Sequence, residues 1–253
     1  MFVGSGTVIN VATVIVGGLL GVLIGKRFPA RTRELFTFTL GLFTIVIGGT
    51  SIASGFSAAF STEVGSQAPF LIVLGSLLLG GLTGSLLRLE ARLDSSAAWL
   101  QRKIAHKITG DLDTNTEQER FVEGMVSATL IFCVGPLAIL GSISDGLGLG
   151  NQQLVVKAVM DGVIAISFAS SFGIGVIASV IPLVIYQGSL TLLGFGLGEF
   201  LSAGQIDALT ATGGVILLGL GIRIMGLKKA QIGDLVPALF YAPLLTWLVA
   251  LAV

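Results

Sequence analysis

Residues 153–171 read QLVVKAVMDGVIAISFASS. The stretch is apolar over roughly the 20 residues that a bilayer-crossing helix needs. Yet Lys157 and Asp161 sit inside it, four residues apart. In a water-soluble helix such a pair is ordinary; at mid-bilayer an isolated ion costs at least a few kcal/mol. The rest of the chain decides between the two settings. Of 253 residues, 53% are hydrophobic and 11% charged, against about 25% charged in soluble domains. Such a chain cannot cover its apolar surface with a water-facing shell. It is expected to be an all-α, polytopic helical membrane protein with the lipid bilayer as its main partner.

Working outward from 153–171, apolar runs occur at about 6–25, 35–57, 69–89, 117–140, 153–172, 175–198, 211–227 and 235–253. They predict about eight transmembrane helices. Gly135-Pro136 should kink or break the fourth, so seven spans plus a re-entrant segment is the alternative. The connections alternate in charge. KRFPARTRE (26–34), the stretch 88–120 and the end of the seventh span are rich in Lys and Arg, whereas SAAFSTEVGSQA, SISDGLGLGNQ and GEFLSAGQID have none. The positive-inside rule puts the basic connections in the cytoplasm and both termini outside. No cleavable signal peptide is expected, because MFVGSGTVIN lacks a basic n-region.

The chain also resembles itself. Residues 19–52 lie over 192–225 without gaps, and nine of 34 positions agree, among them Gly21/Gly194, Gly25/Gly198, Gly41/Gly214 and Gly48/Gly221. Five spans separate the two starts, so the copies run in opposite directions. The expected organisation is a three-helix repeat (1–89), a cytoplasmic linker (90–116), a central helix pair (117–172) and an inverted three-helix repeat (173–253). Inverted repeats flanking a central pair are typical of secondary transporters. In the linker, Leu89, Leu93, Ala97, Leu100, Ile104 and Ile108 form an amphipathic stripe, and TEQE (116–119) reads as a capping box opening the fourth span.

Composition excludes much chemistry. Zero net charge gives no sign of a nucleic-acid partner. Cys133 and His106 are the single cysteine and histidine, so no disulfide, Cys-based zinc site or His cluster is expected. No metal site, cofactor or catalytic constellation follows, and the chain is not expected to be an enzyme. The candidate ion pathway consists of Lys157 and Asp161, the break at Gly135 and Pro136, then Gly141, Ser142 and Asp145, with Asn10 and Gln187 from other spans. Lys157 and Asp161 share a helix face and can pair. They form either a gated site for sodium or a proton, or a structural lock. Glu123, near an interface, is expected to snorkel. Gly17, Gly21 and Gly25, with Gly194 and Gly198, form helix-packing ridges, more readily within the chain than between copies, which leaves a homo-oligomer open.

Four segments carry a family resemblance: TVINVATVIVGGLLGVLIGKRFPARTRE, GPLAILGSISDGLGLG, KAVMDGVIAISFASSFGIGVIASVIPLVIYQG and GLKKAQIGDLVPALF. Together they resemble the YqgA/YdfK-like bacterial membrane proteins, of unknown function, with the loose tag of a possible sodium channel or pump. The resemblance implies a bacterial inner-membrane protein, with Lys157, Asp161, Gly141, Ser142, Asp145, Gly146 and Pro237 on family motif positions. Asp234 stands where the family pattern leads one to expect Asn, which puts a neutral amide role there in doubt. A small-cation transporter or channel is therefore expected, and a non-transporting scaffold or sensor acting through the amphipathic linker is the alternative.

Overall fold

The computed structural model describes residues 2–24, 30–92, 95, 116–133 and 136–252. Among them every regular element is helical: α1 (Ser5–Ile24), α2 (Ala30–Gly55), α3 (Ala58–Val64), α4 (Ala68–Leu87), α5 (Thr116–Cys133), α6 (Pro136–Gly146), α7 (Gln152–Phe172), α8 (Gly175–Ala178), α9 (Val180–Gly198), α10 (Ala203–Ile224), a 3-10 turn at Ile232–Leu235, and α11 (Ala238–Ala250). Among the described residues seven helical stretches are long and apolar enough to span a membrane, and α5 with α6, bent by 64°, makes an eighth if the pair crosses as one span. Pro136 opens α6, where a missing N–H and a fixed φ suit a helix start but not a helix interior. The linker stripe beyond residue 92, its end at Thr109-Gly110, Gly25, Gly135 and the side chains of the TEQE box lie outside the described residues.

Helix directions decide whether the bent pair crosses. Along α1, Gly6 faces Leu154, Asn10 bonds Asp161, and Gly21 faces Ile166. Hence α1 and α7 run parallel. An odd number of crossings must separate them, and α2 and α4 supply two, so the α5–α6 pair is the third. The same directions hold elsewhere: α6 and α9 are parallel, α2 and α10 antiparallel, and α4 and α11 antiparallel, as eight alternating spans demand.

Glycine sets these interfaces. A Cβ at Gly17 or Gly21 would run into the backbone carbonyl of Gly162 or Ile166 on α7. The α1 ridge is thus consumed within the chain. On α9, Gly194 meets the backbone of Ile143 in the same way, and Gly198 touches Leu147. The α2–α10 seam is reciprocal. A Cβ at Gly48 would lie 2.8 Å from the Gly214 carbonyl oxygen, and one at Gly214 would lie 2.7 Å from that of Gly48. One at Gly41 would lie 3.0 Å from the Gly221 oxygen, and one at Gly221 would lie 2.7 Å from that of Gly41. Reciprocal contacts of this kind follow from two antiparallel helices meeting on glycine-lined faces.

Leu23, Leu78, Ile185, Leu192 and Phe240 point outward at 65–81% exposure, a pattern that hydrocarbon accepts and water does not. The interior holds apolar clusters around Leu217, Phe132 and Phe60 together with buried polar residues such as Asn10, Asp161 and Gln187, and α10 is the most enclosed of the seven straight spans. One boundary shifts from the sequence expectation. The GEFLSAGQID connection is not all loop, because α10 begins at Ala203, where Ser202 accepts from the Gln205 N–H and the Gln205 side chain accepts from the Ser202 N–H. At the other uncertain boundary, Gly173 adopts φ +73° and ψ −150°, a region essentially reserved for glycine, and turns the chain from α7 towards α8.

Candidate functional site: a buried ion pair beside a broken span

Asp161 is the tenth of the 21 residues of α7, about 14 Å from its start at 1.5 Å per residue, and so close to the middle of the span. It is 3% exposed, and Lys157 is 5% exposed. The Lys157 ammonium donates to Asp161 Oδ2 in an i,i+4 ion pair. Asn10, completely buried on α1, donates its Nδ2 to the same oxygen at 2.9 Å. Both donors therefore converge on Oδ2. Among the described residues the hydrogen bonds to Asp161 both go to Oδ2 and none goes to Oδ1. Asn10 Oδ1 is buried without a partner. Buried polar groups are almost always satisfied, so this amide oxygen beside the ion pair marks the site. Cys133, the last residue of α5 before the break, is buried and packs in one apolar cluster with Val14, Ala165 and Leu183. The pair thus lies where α1, α7 and the broken span converge.

Other predicted residues take different positions. Gln187 is fully buried in α9, and neither its amide oxygen nor its nitrogen has a partner. It lies one turn beyond Leu183, which packs against the Cys133 cluster. Ser142 is buried in α6 with an unpartnered hydroxyl, as are Thr7 on α1 and Thr191 on α9. Gly141 lets α6 approach α7, since a Cβ there would sit 2.9 Å from Leu154. Asp145 does not join the pair. It ends α6 and accepts from the Gly6 N–H at 3.1 Å, tying the broken span to the start of α1. Glu123 is exposed.

The contacts of three carboxylates, Glu63, Glu90 and Asp234, were not foreseen. At one end of the bundle Glu63 accepts from the Ser202 hydroxyl at 2.6 Å and the Gly204 N–H at 3.0 Å. At the other, Glu90 pairs with Arg223 at 2.6 Å and accepts from the Gly233 N–H at 2.8 Å, while Asp234 accepts from the Glu90 N–H at 2.8 Å. Asp234 acts here as an acceptor, which the carboxylate serves well. The Ser202–Gln205 capping signature was visible in the sequence; the distant carboxylates had no local signal.

The family model described as Protein of unknown function (DUF554) matches residues 5–247. The chain belongs to this family. It is similar to the uncharacterized membrane protein YdfK of Bacillus subtilis (strain 168), 27% identical over 244 residues and 96% of each chain. It is also similar to the uncharacterized protein YqgA of Escherichia coli (strain K12), 28% identical over 237 residues and 94% of each chain. No solved structure matches it. The membrane reading rests on the apolar helices of this chain and agrees with the printed name of the first relative, while the family description gives no activity.

Proposed function

We propose that the protein is an inner-membrane transporter or channel for a small cation, sodium or a proton, with the Lys157–Asp161 pair as its gated site. The observation that carries this is the unequal bonding of Asp161. Its Oδ2 holds both Lys157 and Asn10, while its Oδ1 and Asn10 Oδ1 remain available as oxygen ligands. A hard monovalent cation binds oxygen ligands of this kind, and its charge would compete with the Lys157 ammonium for the carboxylate. In the free state Lys157 neutralises Asp161; in the loaded state the cation does, and Lys157 is displaced. An intramembrane ion pair is then held at low cost until an ion exchanges with it.

Two further features support the same reading. The reciprocal glycine contacts of α2 and α10 fit an inverted repeat with a two-fold axis in the membrane plane, the arrangement that lets one half rock against the other. The span is interrupted between Cys133 and Pro136, and a break at membrane depth is tolerated where it faces protein or a water-filled path. By the positive-inside rule we assign to the cytoplasm the end that carries Arg88, Arg120 and Arg223, which would put both termini outside. The test is ion flux into proteoliposomes containing the purified protein. Asp161→Asn is expected to abolish cation-dependent flux while the protein elutes as a folded species. Normal flux with that variant would overturn the proposal.

A further inference from the structure

A second feature lies at the end of the bundle where α6 meets α7. A cavity of about 390 Å³ opens between α2, α6, α7 and α10. Its polar wall is formed by Thr50, Ser54, Ser144, Gln153, Thr210 and Asp207, over an apolar floor of Leu140, Leu209 and Leu239. Gln153 is one turn before Lys157 on α7, so the cavity lies on the approach to the pair from that end.

The chemistry of the wall is one-sided. Thr50 donates its hydroxyl proton to the Ile47 carbonyl at 2.9 Å, Ser54 donates to Ser51 at 3.1 Å, and Thr210 donates to Ile206 at 2.8 Å. These three hydroxyls spend their protons on their own helices, and Ser144 donates to Gln153 Oε1 at 3.4 Å, so lone pairs are what these four can still offer to the cavity, which Ser51 also lines. Asp207 accepts from the Ser57 hydroxyl through Oδ2, and among the described residues its Oδ1 has no partner. Among the described residues no Lys, Arg or His lines the cavity, and Gln152 and Gln153 are the side chains there with N–H donors. The segments 56–67, 145–151 and 199–207 at this end contain Glu63, Asp145, Glu199 and Asp207 and no basic residue. An acceptor-rich wall with one carboxylate repels anions and offers little to a neutral polyol, which needs donors as well. A divalent hard cation calls for more carboxylates than one. The volume leaves room for several waters beside an ion.

We propose that this cavity binds a small monovalent cation with part of its hydration shell, at Asp207 and the hydroxyls of α2 and α10. The inference goes beyond the ion-pair proposal, since it concerns other side chains and holds whether or not ions cross the membrane.

The test is the melting temperature of the purified full-length protein in detergent, in sodium, lithium or potassium chloride against N-methyl-D-glucamine chloride at equal ionic strength. A saturable rise with one or more small cations is expected. It should need at least fivefold more cation in Asp207→Asn and persist in Asp161→Asn. No cation-specific rise in the wild-type protein, or a rise untouched by Asp207→Asn, overturns the inference. A rise abolished by Asp161→Asn and untouched by Asp207→Asn places the cation at the ion pair, which overturns this site while leaving the transport proposal standing. A second readout does not depend on Asp207→Asn folding. Ser51→Cys in a Cys133→Ala background is labelled with cationic or anionic methanethiosulfonates. The cation-to-anion rate ratio, normalised to free cysteine, should exceed tenfold and fall when sodium is added; a normalised ratio near one overturns the proposal.

Discussion

Replacing Lys157 with Met separates a lock from a site. Met keeps most of the length of the lysine stem and removes its charge. Asp161 then keeps one donor, Asn10 Nδ2 at 2.9 Å, in surroundings where it is 3% exposed. Removing one partner of a buried ion pair costs about 3–5 kcal/mol, because the other charge stays buried and uncompensated. Replacing both, as in Lys157→Met with Asp161→Leu, should recover most of that loss, since apolar substitutes for a buried pair are often neutral or stabilising by about 1–4 kcal/mol. The two accounts divide on the response of Lys157→Met to cations. If Asp161 Oδ1 and Asn10 Oδ1 form a cation site, sodium takes the place of the ammonium. At a hundredfold excess over its Kd it restores about 2.7 kcal/mol. The assay is denaturant or thermal unfolding of wild type, both single variants and the double variant in an Asp207→Asn background, in sodium and in N-methyl-D-glucamine. An equal loss for Lys157→Met in both salts would refute the reasoning and leave the pair as a structural lock.

Further outcomes follow from the packing. Gly48→Leu should destabilise the protein by about 1–3 kcal/mol or more, because its Cβ would lie 2.8 Å from the Gly214 carbonyl oxygen; Gly49→Leu, with nothing within 4 Å of its Cβ, serves as the neutral control in the same unfolding assay. Gln187→Leu should raise stability by about 1–3 kcal/mol, the cost of a buried unsatisfied group, while lowering flux; a loss of stability would show that the amide is satisfied after all. Glu90→Ala removes the Arg223 bridge and the acceptor of the Gly233 N–H. Faster amide exchange across residues 231–235 is expected, with little change at the Glu63 end of the bundle.

The sequence made the spans legible because lipid imposes length and apolarity on every one of them. Loop charge carried the alternation, and the parallel packing of α1 and α7 agrees with the eight spans it required. The Gly17–Gly21 ridge was readable as a packing face, but not its partner, since Gly162 and Ile166 contribute backbone rather than a side-chain pattern. Within the site, the i,i+4 spacing foretold the Lys157–Asp161 pair, and Asn10 was a candidate on polarity alone. That Asn10 and Lys157 share one oxygen of Asp161 depends on how α1 lies against α7, which no local pattern encodes. Asp207 was missed because it was read as part of a loop, although Ser202 and Gln205 already spelled the cap of the helix that carries it.

The central claim is that a cation exchanges with Lys157 at Asp161. Difference infrared spectroscopy on the purified protein in lipid, with aspartate carbon-13 labelling, reads that exchange directly when sodium replaces N-methyl-D-glucamine. A carboxylate that changes partner from an ammonium to a metal cation shifts its antisymmetric stretch. A sodium-induced carboxylate band that vanishes in Asp161→Asn is the result expected here. A difference spectrum with no band dependent on Asp161 would contradict the claim.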